Sequence, residues 1–262
     1  MTKRVVAIAD LHCGHRVGLT PPNWRGRKPE HDKYAAIQDE AWRLYAGLVK
    51  KLRPVDCLIV NGDCIDGRGE RSGGVELITG DRNEQCQMAS ECIWLWKPGA
   101  VVMVRGTPYH TGEIEAWEDQ IATSVGAKIG DHEWVNVNGF IFDVKHFIGA
   151  SQIPHGRATA LRREELWNAI WAEADMQPRA DMILRAHVHY CDGTYSWATG
   201  KRREGVILPA LQAMGTRFGA RQCSGIVNWG LLGWDIDEKG QICQRHECVI
   251  TLQKQRARAF RV

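Results

Sequence analysis

Residues that commonly bind metal ions follow the predicted strands of this sequence. Short apolar runs along the chain are each followed by aspartate or histidine. The residues concerned are Asp10, His12, Asp63, Asp66, His110, His146, His187 and His189. Because the carboxyl ends of strands in an open α/β sheet line one crevice, we expect these side chains to converge. Carboxylate and imidazole groups together suit Mn²⁺, iron or Zn²⁺.

The size of this set indicates a particular chemistry. Eight candidate ligands are too many for one tetrahedral site, but they suit two metal ions that share a bridging carboxylate. Such a pair serves in-line displacement at phosphorus, in which a hydroxide activated by the metals attacks. The alternative is that these residues are ordinary turn, cap and buried polar residues.

The spacing of apolar residues predicts the elements that position these side chains. Short β-branched runs predict strands at 4–9, 57–61, 100–104 and 182–186. Helical patterns are found at 31–52, 82–96, 113–124 and 158–175. Alternation around Asn138-Gly139 predicts a β-hairpin at 133–147, and mainly strands are expected from 194 onward.

The alternation of strands and helices predicts one α/β domain that covers residues 1–262. Its C-terminal part, 191–250, is expected to be rich in strands, and a basic tail follows at 251–262. We expect this tail to be a frayed terminus rather than a contact with nucleic acid. Tryptophans in apolar-patterned segments are expected in the core, namely Trp94, Trp96, Trp167, Trp171, Trp229 and Trp234.

Composition and charge exclude several classes of protein. Lys and Arg number 34 against 31 Asp and Glu, so a net charge of +3 provides no strong field for nucleic acid or a membrane. A hydrophobic content of 44% disfavours disorder. The nine cysteines include no C-x-x-C pair, and thiols in apolar runs, such as Cys57 and Cys92, are expected to be reduced and buried. Without a signal-like or membrane-spanning run, we expect a cytoplasmic protein.

The motifs resemble those of the calcineurin-like metallophosphoesterases. That family carries, in order, D-x-H, GD-x-x-D, GNH-[DE], an isolated His and GH-x-H. The corresponding segments here are Asp10-Leu11-His12, Gly62-Asp63-Cys64-Ile65-Asp66, Gly106-Thr107-Pro108-Tyr109-His110, His146 and Ala186-His187-Val188-His189. The resemblance spans residues 4–190, and the G-T-P-x-H variant is similar to phage and prophage members. The resemblance implies an α/β fold, a sandwich of two mixed β-sheets flanked by α-helices.

The resemblance also implies two divalent metal ions as cofactors. The first would be held by Asp10, His12, Asp63 and His189. The second would be held by Asp63 as the bridge, Thr107, His146 and His187. Mn²⁺ is the expected metal, with iron, Zn²⁺, Ni²⁺ or Mg²⁺ as alternatives. Asp66 would orient a ligand or a bound water, and His110 would protonate the leaving oxygen.

Two departures from the family pattern concern its third motif. Thr107 stands where the family has a metal-binding Asn, and because a hydroxyl is a poorer ligand we expect weaker binding of the second metal. His110 lies three residues after Thr107, whereas the family's His directly follows that Asn, so a turn must return His110 to the site. His15 and His155 lie outside the motifs, and His155 is expected to be an ordinary loop residue.

Basic loops beside the motifs favour a phosphodiester substrate. Trp24 and Arg25 lie in the loop 21–28 after the first motif and could hold a nucleotide or a nucleic acid. Arg68 and Arg71 follow the second motif and could clamp phosphate oxygens. We therefore predict a metal-dependent phosphodiesterase, with a phosphomonoesterase on the same site and a non-catalytic metal-binding scaffold as alternatives. The sequence does not indicate an oligomeric state.

Overall fold

Apolar strands and helices alternate along the chain and assemble into two mixed β-sheets with helices on their outer faces. The computed structural model describes residues 1–25, 32–112, 114–151, 153–198, 200–214, 225–256 and 259. The strands are β1 (Lys3–Ile8), β2 (Cys57–Asn61), β3 (Ala100–Val104), β4 (Lys128–Gly130), β5 (Glu133–Val137), β6 (Phe140–Val144), β7 (Met182–Arg185), β8 (Asp192–Ala198), β9 (Lys201–Ile207), β10 (Trp229–Ile236) and β11 (Ile242–Ile250). The helices are α1 (Asp32–Leu52), α2 (Arg82–Trp94), α3 (Pro108–Thr111), α4 (Trp117–Val125) and α5 (Arg157–Glu173).

The first sheet has the strand order β11–β10–β1–β2–β3–β4. Its strands β1 to β4 are parallel, whereas β10 is antiparallel to β1 and β11 is antiparallel to β10. Residues of β1 and β2 are apolar on both faces because side chains pack on both sides of the sheet. This parallel arrangement brings the carboxyl ends of β1, β2 and β3 side by side.

The second sheet has the strand order β5–β6–β7–β9–β8. Strands β5 and β6 form the predicted hairpin, and Asn138 and Gly139 have φ angles of +53° and +87°, as a two-residue type I′ turn requires. Strands β6, β7 and β9 are parallel, and β8 is antiparallel to β9. The carboxyl ends of β6 and β7 therefore also lie at one edge.

Apolar side chains fill the space between the sheets and beneath the helices. Ile59 from the first sheet and Phe142 from the second belong to the cluster between them. Helices α1, α2 and α4 pack on the outer face of the first sheet, where Tyr45 and Trp96 are buried. Helix α5 covers the second sheet with Leu161. The predicted fold class, two mixed sheets flanked by helices, is confirmed.

The predicted elements are confirmed, with small shifts of their ends. The strands at 57–61 and 100–104 match the structure, and the first helix ends at Leu52 as expected. The helix predicted at 113–124 begins later, at Trp117, because Ala116 adopts a left-handed φ of +44°. In the described residues, no helix combines the length and the apolar character needed to cross a membrane. Cys57 and Cys92 are free, buried thiols, as expected.

The prediction that the patterned tryptophans lie in the core is wrong for three of them. Trp96, Trp229 and Trp234 are buried. Trp94, Trp167 and Trp171 have exposed fractions of 60%, 50% and 42%. Trp167 and Trp171 lie one turn apart on α5, whose buried residues are Leu161 and Asn168. Because α5 packs on one sheet only, apolar side chains on its other face remain exposed.

We expect Arg185→Met to destabilise the second sheet. The buried guanidinium of Arg185 donates to Asp143 at 2.7 Å and to Glu164 at 2.9 Å. Removing it leaves the buried Asp143 carboxylate with weaker compensation, which lowers the free energy of unfolding by about 3 kcal/mol. The measurement is the urea midpoint, read together with the m-value.

Arg162→Met on α5 is the matched control, since its ion pair with Glu165 is partly exposed. That change should move the midpoint little. Equal, small shifts in both variants would show that Arg185 contributes no more than a surface charge.

Candidate metal centre

The loops after β1, β2, β3, β6 and β7 bring the predicted ligands to one edge of the sandwich. Backbone hydrogen bonds join the first two loops, because Asp10 N donates to the Gly62 carbonyl at 3.0 Å and His12 N donates to the Asp63 carbonyl at 3.0 Å. The loop after β7 joins them where His187 N donates to Asp10 Oδ2 at 3.3 Å. The convergence expected from the sequence is therefore present.

The first group of candidate ligands contains Asp10, His12 and His189. The Oδ1 atom of Asp10 lies 3.3 Å from His189 Nε2 and 3.9 Å from His12 Nε2. The two Nε2 atoms are 3.2 Å apart. One carboxylate oxygen and two imidazole nitrogens thus face a common point, as the ligands of a metal ion do.

The second group contains Asp63, His146 and His187. Asp63 Oδ2 lies 3.0 Å from His146 Nε2 and 3.8 Å from His187 Nδ1. His146 Nδ1 donates to the Asn61 carbonyl at 2.6 Å, which leaves Nε2 as the nitrogen directed at Asp63. The two groups adjoin, because His146 Nε2 is only 3.9 Å from Asp10 Oδ1.

The unpaired oxygen of Asp10 tests whether these residues fit a cation. Asp10 is fully buried, and its Oδ1 accepts no hydrogen bond from the described residues although three imidazole nitrogens surround it. A buried carboxylate oxygen without a hydrogen bond is strongly unfavourable, and a divalent cation would satisfy it. The donor set, oxygen and imidazole nitrogen without sulfur, also suits such an ion. The residues therefore fit a metal centre.

Backbone strain is concentrated in the same residues. Left-handed φ angles of +45° to +75° are found at Asp10, His12, Asp63, His187 and His189. Such conformations are uncommon for residues other than glycine and cost roughly 1–3 kcal/mol each, so they persist only where the surroundings enforce them. Clustering of strained residues is typical of functional sites.

Two glycines allow the loops to approach each other. A Cβ at Gly62, where φ is +74°, would lie 2.5 Å from His146 Nδ1. A Cβ at Gly106 would lie 2.1 Å from Asp63 Oδ1. A side chain at either position would displace the second group of ligands. This close approach explains the glycine that begins the second motif and the glycine that begins the third.

Thr107 lies in the site and contacts Asp63. Its backbone N donates to Asp63 Oδ1 at 2.7 Å, and its hydroxyl lies 3.1 Å from the same oxygen. Thr107 therefore holds the carboxylate of Asp63 in place. Its predicted role as a metal ligand stays a prediction.

Asp66 and His110 lie beside the first group. His12 Nδ1 donates to Asp66 Oδ1 at 3.0 Å, which directs His12 Nε2 towards Asp10. The single turn of α3 returns His110 to the site, where its ring lies 4.5 Å from that of His12. His110 Nδ1 donates to the Asp66 carbonyl at 2.9 Å. The turn required by the longer third motif is thus present.

Burial and charge set the protonation of these groups in different directions. Burial lowers the pKa of His12 to about 4, so this imidazole is neutral, as a metal ligand must be. Burial disfavours the charge on His146 as well, but Asp63, Asp10 and the Asn61 carbonyl together outweigh burial and raise the pKa of His146 to about 10, so a bound cation would have to displace this proton. Burial would raise the pKa of Asp66, but His15 and the other nearby histidines lower it to about 2.

A buried glutamate that belongs to none of the sequence motifs joins two motif loops. Glu118 on α4 accepts hydrogen bonds from Cys64 N at 2.8 Å and from Gly106 N at 2.6 Å. Burial, reinforced by Asp63, raises the pKa of Glu118 to about 7. Its only signal in the sequence is a charged residue within a predicted amphipathic helix, which by itself is typical of a solvated face.

The predicted substrate-binding residues separate into two pairs. Trp24 is buried in the core, and its indole donates to Glu91 at 3.0 Å, so the structure does not place it in the site and a role in base stacking is not supported. A 3₁₀ turn at Pro22–Trp24 directs this large ring inward. Arg25 pairs with Asp39 instead of reaching the ligands. The remainder of this basic loop, 26–28, lies outside the described residues.

Arg68 and Arg71 follow the second motif and are both exposed. The guanidinium of Arg71 lies over the ring of Tyr109, 4.7 Å from its centroid, and Tyr109 precedes His110. Arg68 is exposed and lies 3.8 Å from Glu115. Arg71 therefore adds positive charge against Tyr109, and the predicted role of both arginines in binding a phosphate ester stays a prediction.

Comparison with known proteins yields similarities of fold. No family model matches the sequence, and no curated protein does. A solved structure described as a novel archaeal phosphodiesterase is similar, with 12% identity over 94% of this chain and 99% of that chain and a TM-score of 0.46. Vps29 of Entamoeba histolytica, complexed with Zn²⁺, has 12% identity over 94% of this chain and 98% of that chain and a TM-score of 0.41.

A third similar structure is the sulfate thiohydrolase SoxB of Thermus thermophilus in complex with glycerol. Its identity is 13% over 95% of this chain, with a TM-score of 0.41, and the chain spans 56% of SoxB. At such identities and TM-scores the likeness says nothing about the side chains of the site.

Glu118→Gln should weaken metal binding. An amide has only one acceptor oxygen, so one of the two loop amides loses its hydrogen bond and the groups around Asp63 loosen. Loss of supporting contacts of this kind lowers metal affinity by about 10- to 100-fold. Titration calorimetry with Mn²⁺ measures the effect.

Glu115→Gln is the control, because that carboxylate pairs with Arg82 on the surface and touches neither loop amide. Unchanged Mn²⁺ affinity in Glu118→Gln would remove Glu118 from the support of the site.

Proposed function

We propose that this chain is a divalent-metal-dependent phosphoesterase of the calcineurin-like metallophosphoesterase type that hydrolyses phosphodiesters. One observation carries the proposal: two adjoining groups of largely buried carboxylates and imidazoles lie around an Asp10 oxygen that accepts no hydrogen bond from the described residues. The motif order found in the sequence supports the same conclusion. Membership of a phage or prophage branch of that family stays a prediction.

The two groups of ligands would hold the metal ions of the proposed enzyme. Asp10, His12 and His189 would bind one ion, and His146 and His187 would bind the other, with Asp63 between them. Two divalent ions, with Mn²⁺ preferred, would supply positive charge to the phosphoryl oxygens and acidify the attacking water. Asp66 and Thr107 would keep His12 and Asp63 in orientation.

His110 would donate the proton that the leaving group requires. Its Nδ1 is occupied by the Asp66 carbonyl, so Nε2 is the nitrogen available to the substrate. When the water oxygen forms its bond to phosphorus, the ester P–O bond breaks and the leaving oxygen keeps the electron pair. That oxygen then takes the proton from His110 Nε2.

Exposed basic residues after the second motif support a nucleic acid as the diester substrate. Arg71 lies over Tyr109, which precedes His110, and Arg68 is exposed beside Glu115, so both would be available to phosphates other than the one that is cleaved. A nucleotide or nucleic acid is the substrate class proposed. A phosphomonoesterase on the same site is the alternative that substrate comparison decides.

A non-catalytic metal-binding scaffold is the second candidate function. Thr107 favours it, because this side chain replaces a ligand of the family and its hydroxyl contacts Asp63. The retained histidines of both groups, together with His110 beside them, oppose it, since a scaffold needs no proton donor.

Asp63→Asn should abolish Mn²⁺-dependent hydrolysis of bis(p-nitrophenyl) phosphate. The change leaves Asp10 as the one carboxylate of the two ligand groups and removes the proposed shared ligand. Loss of a contact that only supports a ligand costs up to about 100-fold, so loss of the ligand itself should lower activity by more than that. Wild-type protein should bind about two metal ions per chain by elemental analysis, as a dinuclear centre requires.

Asp131→Asn, an exposed acid, serves as the control and should retain activity. Preference for p-nitrophenyl phosphate over the diester would overturn the phosphodiesterase assignment and keep the site. Bound metal without hydrolysis of either ester would favour the scaffold.

His110→Ala should impair the substrate with the poorer leaving group more strongly. General acid catalysis contributes about 10²- to 10⁴-fold, and nitrophenolate leaves without a proton whereas an alcohol does not. We therefore expect a large loss of kcat/KM for a thymidine dinucleotide and a small loss for bis(p-nitrophenyl) phosphate. An equal loss on both substrates would mean that His110 is not the acid, and the exposed His155→Ala serves as the control.

A further inference from the structure

Two exposed aromatic rings stand beside the candidate metal centre, one at each group of ligands. Phe147 is 57% exposed and Tyr109 is 37% exposed. Phe147 directly follows His146, and its ring lies 5.0 Å from the ring of His187 at an interplanar angle of 37°. Tyr109 lies 4.8 Å from the ring of His110, edge to face. Both rings are therefore accessible to a molecule bound at the ligands.

The ring contacts show which part of a substrate each aromatic residue would meet. Phe147 packs on His187, which belongs to the second group of ligands together with His146. Tyr109 reaches the first group through His110, whose ring packs on that of His12. A phosphate held over both groups would therefore extend one ester arm towards Tyr109 and the other towards Phe147.

The residues around Tyr109 assign the leaving arm to that side. His110, the proposed proton donor, touches Tyr109, and the guanidinium of Arg71 covers the tyrosine ring at 4.7 Å. The tyrosine hydroxyl also accepts a hydrogen bond from Arg71 N at 2.9 Å, so this ring is fixed. The arm that stays on phosphorus must then lie on the side of Phe147.

We propose that Phe147 is a stacking platform for a nucleobase on the ester arm that remains attached to phosphorus. The inference rests on the proposed function, because it requires a phosphate at the two groups of ligands. A bare phenyl face offers no hydrogen bond, so it recognises a planar ring without distinguishing one base from another. The substrate class is accordingly a nucleoside-bearing phosphodiester with little sequence preference.

Equilibrium binding of two phosphates tests this inference without turnover. The probes are thymidine 5′-monophosphate and 2-deoxyribose 5-phosphate, titrated by calorimetry into Mn²⁺-loaded full-length protein. Stacking of one base on an aromatic ring corresponds to about 5- to 150-fold in affinity. Wild-type protein should therefore bind the nucleotide more tightly than the sugar phosphate by a factor in that range.

Phe147→Leu keeps an apolar side chain but removes the ring, and should abolish the preference for the nucleotide. Phe147→Trp keeps a planar ring and should retain it, which separates stacking from a general effect on folding. Trp94→Leu removes an exposed aromatic residue on α2, away from the ligands, and is the matched control. Circular dichroism melting of each variant verifies that it is folded.

A kinetic readout uses two diesters with the same leaving group. Thymidine 5′-(p-nitrophenyl phosphate) should exceed methyl p-nitrophenyl phosphate in kcat/KM, and Phe147→Leu should reduce that ratio towards one. Equal binding of the two phosphates by wild-type protein, or an unchanged preference in Phe147→Leu, would overturn the inference and leave the proposed function standing. Failure of both phosphates to bind in the presence of Mn²⁺ would overturn both proposals together.

Discussion

The burial of two carboxylates, Asp10 and Asp63, at one edge of the sandwich is the constraint on which the rest of the site depends. Buried carboxylates are tolerated only with hydrogen bonds or an opposite charge. Asp63 receives the amide and hydroxyl of Thr107 and faces His146, whereas one oxygen of Asp10 receives no hydrogen bond from the described residues. The compensation is thus incomplete at Asp10, which is where a bound cation would contribute most.

The sandwich supplies the rigidity that this arrangement requires. Left-handed backbone at Asp10, Asp63 and His187 is unfavourable in isolation and is maintained by hydrogen bonds between loops that follow neighbouring strands. Glu118 adds a contact from α4 to two of those loops, so a helix on the outer face of the first sheet supports ligands at its edge. The strained residues and the hydrogen bonds that hold them lie in the same loops. Packing of the strands beneath these loops offsets the unfavourable free energy of the left-handed backbone.

The candidate ligands and the exposed residues around them would serve different parts of the proposed phosphate ester. Imidazoles and carboxylates form the floor, where charge on phosphorus would be met. Phe147 and Tyr109 stand above it with exposed rings, and Arg71 adds positive charge on the tyrosine side. In the proposed function, the ligands would provide the chemistry and the exposed rings would select what is attached to the phosphate.

Residue types and spacing alone were enough to predict the strands, an α/β domain and the convergence of Asp10, Asp63, His146 and the later histidines, because parallel strands end at a common edge. The sandwich of two mixed sheets was implied only by the resemblance of the motifs to a known family. The same patterns could not separate Trp96, which is buried, from Trp94, which is exposed two residues earlier on the chain. An apolar pattern shows that a helix has an apolar side, but the number of surfaces available to cover it is a property of the assembled layers. Trp24 lies in the core, and Glu118 and Phe147 lie beside the ligands, because of contacts between segments that are far apart in sequence. The local spacing of residues does not reveal such contacts.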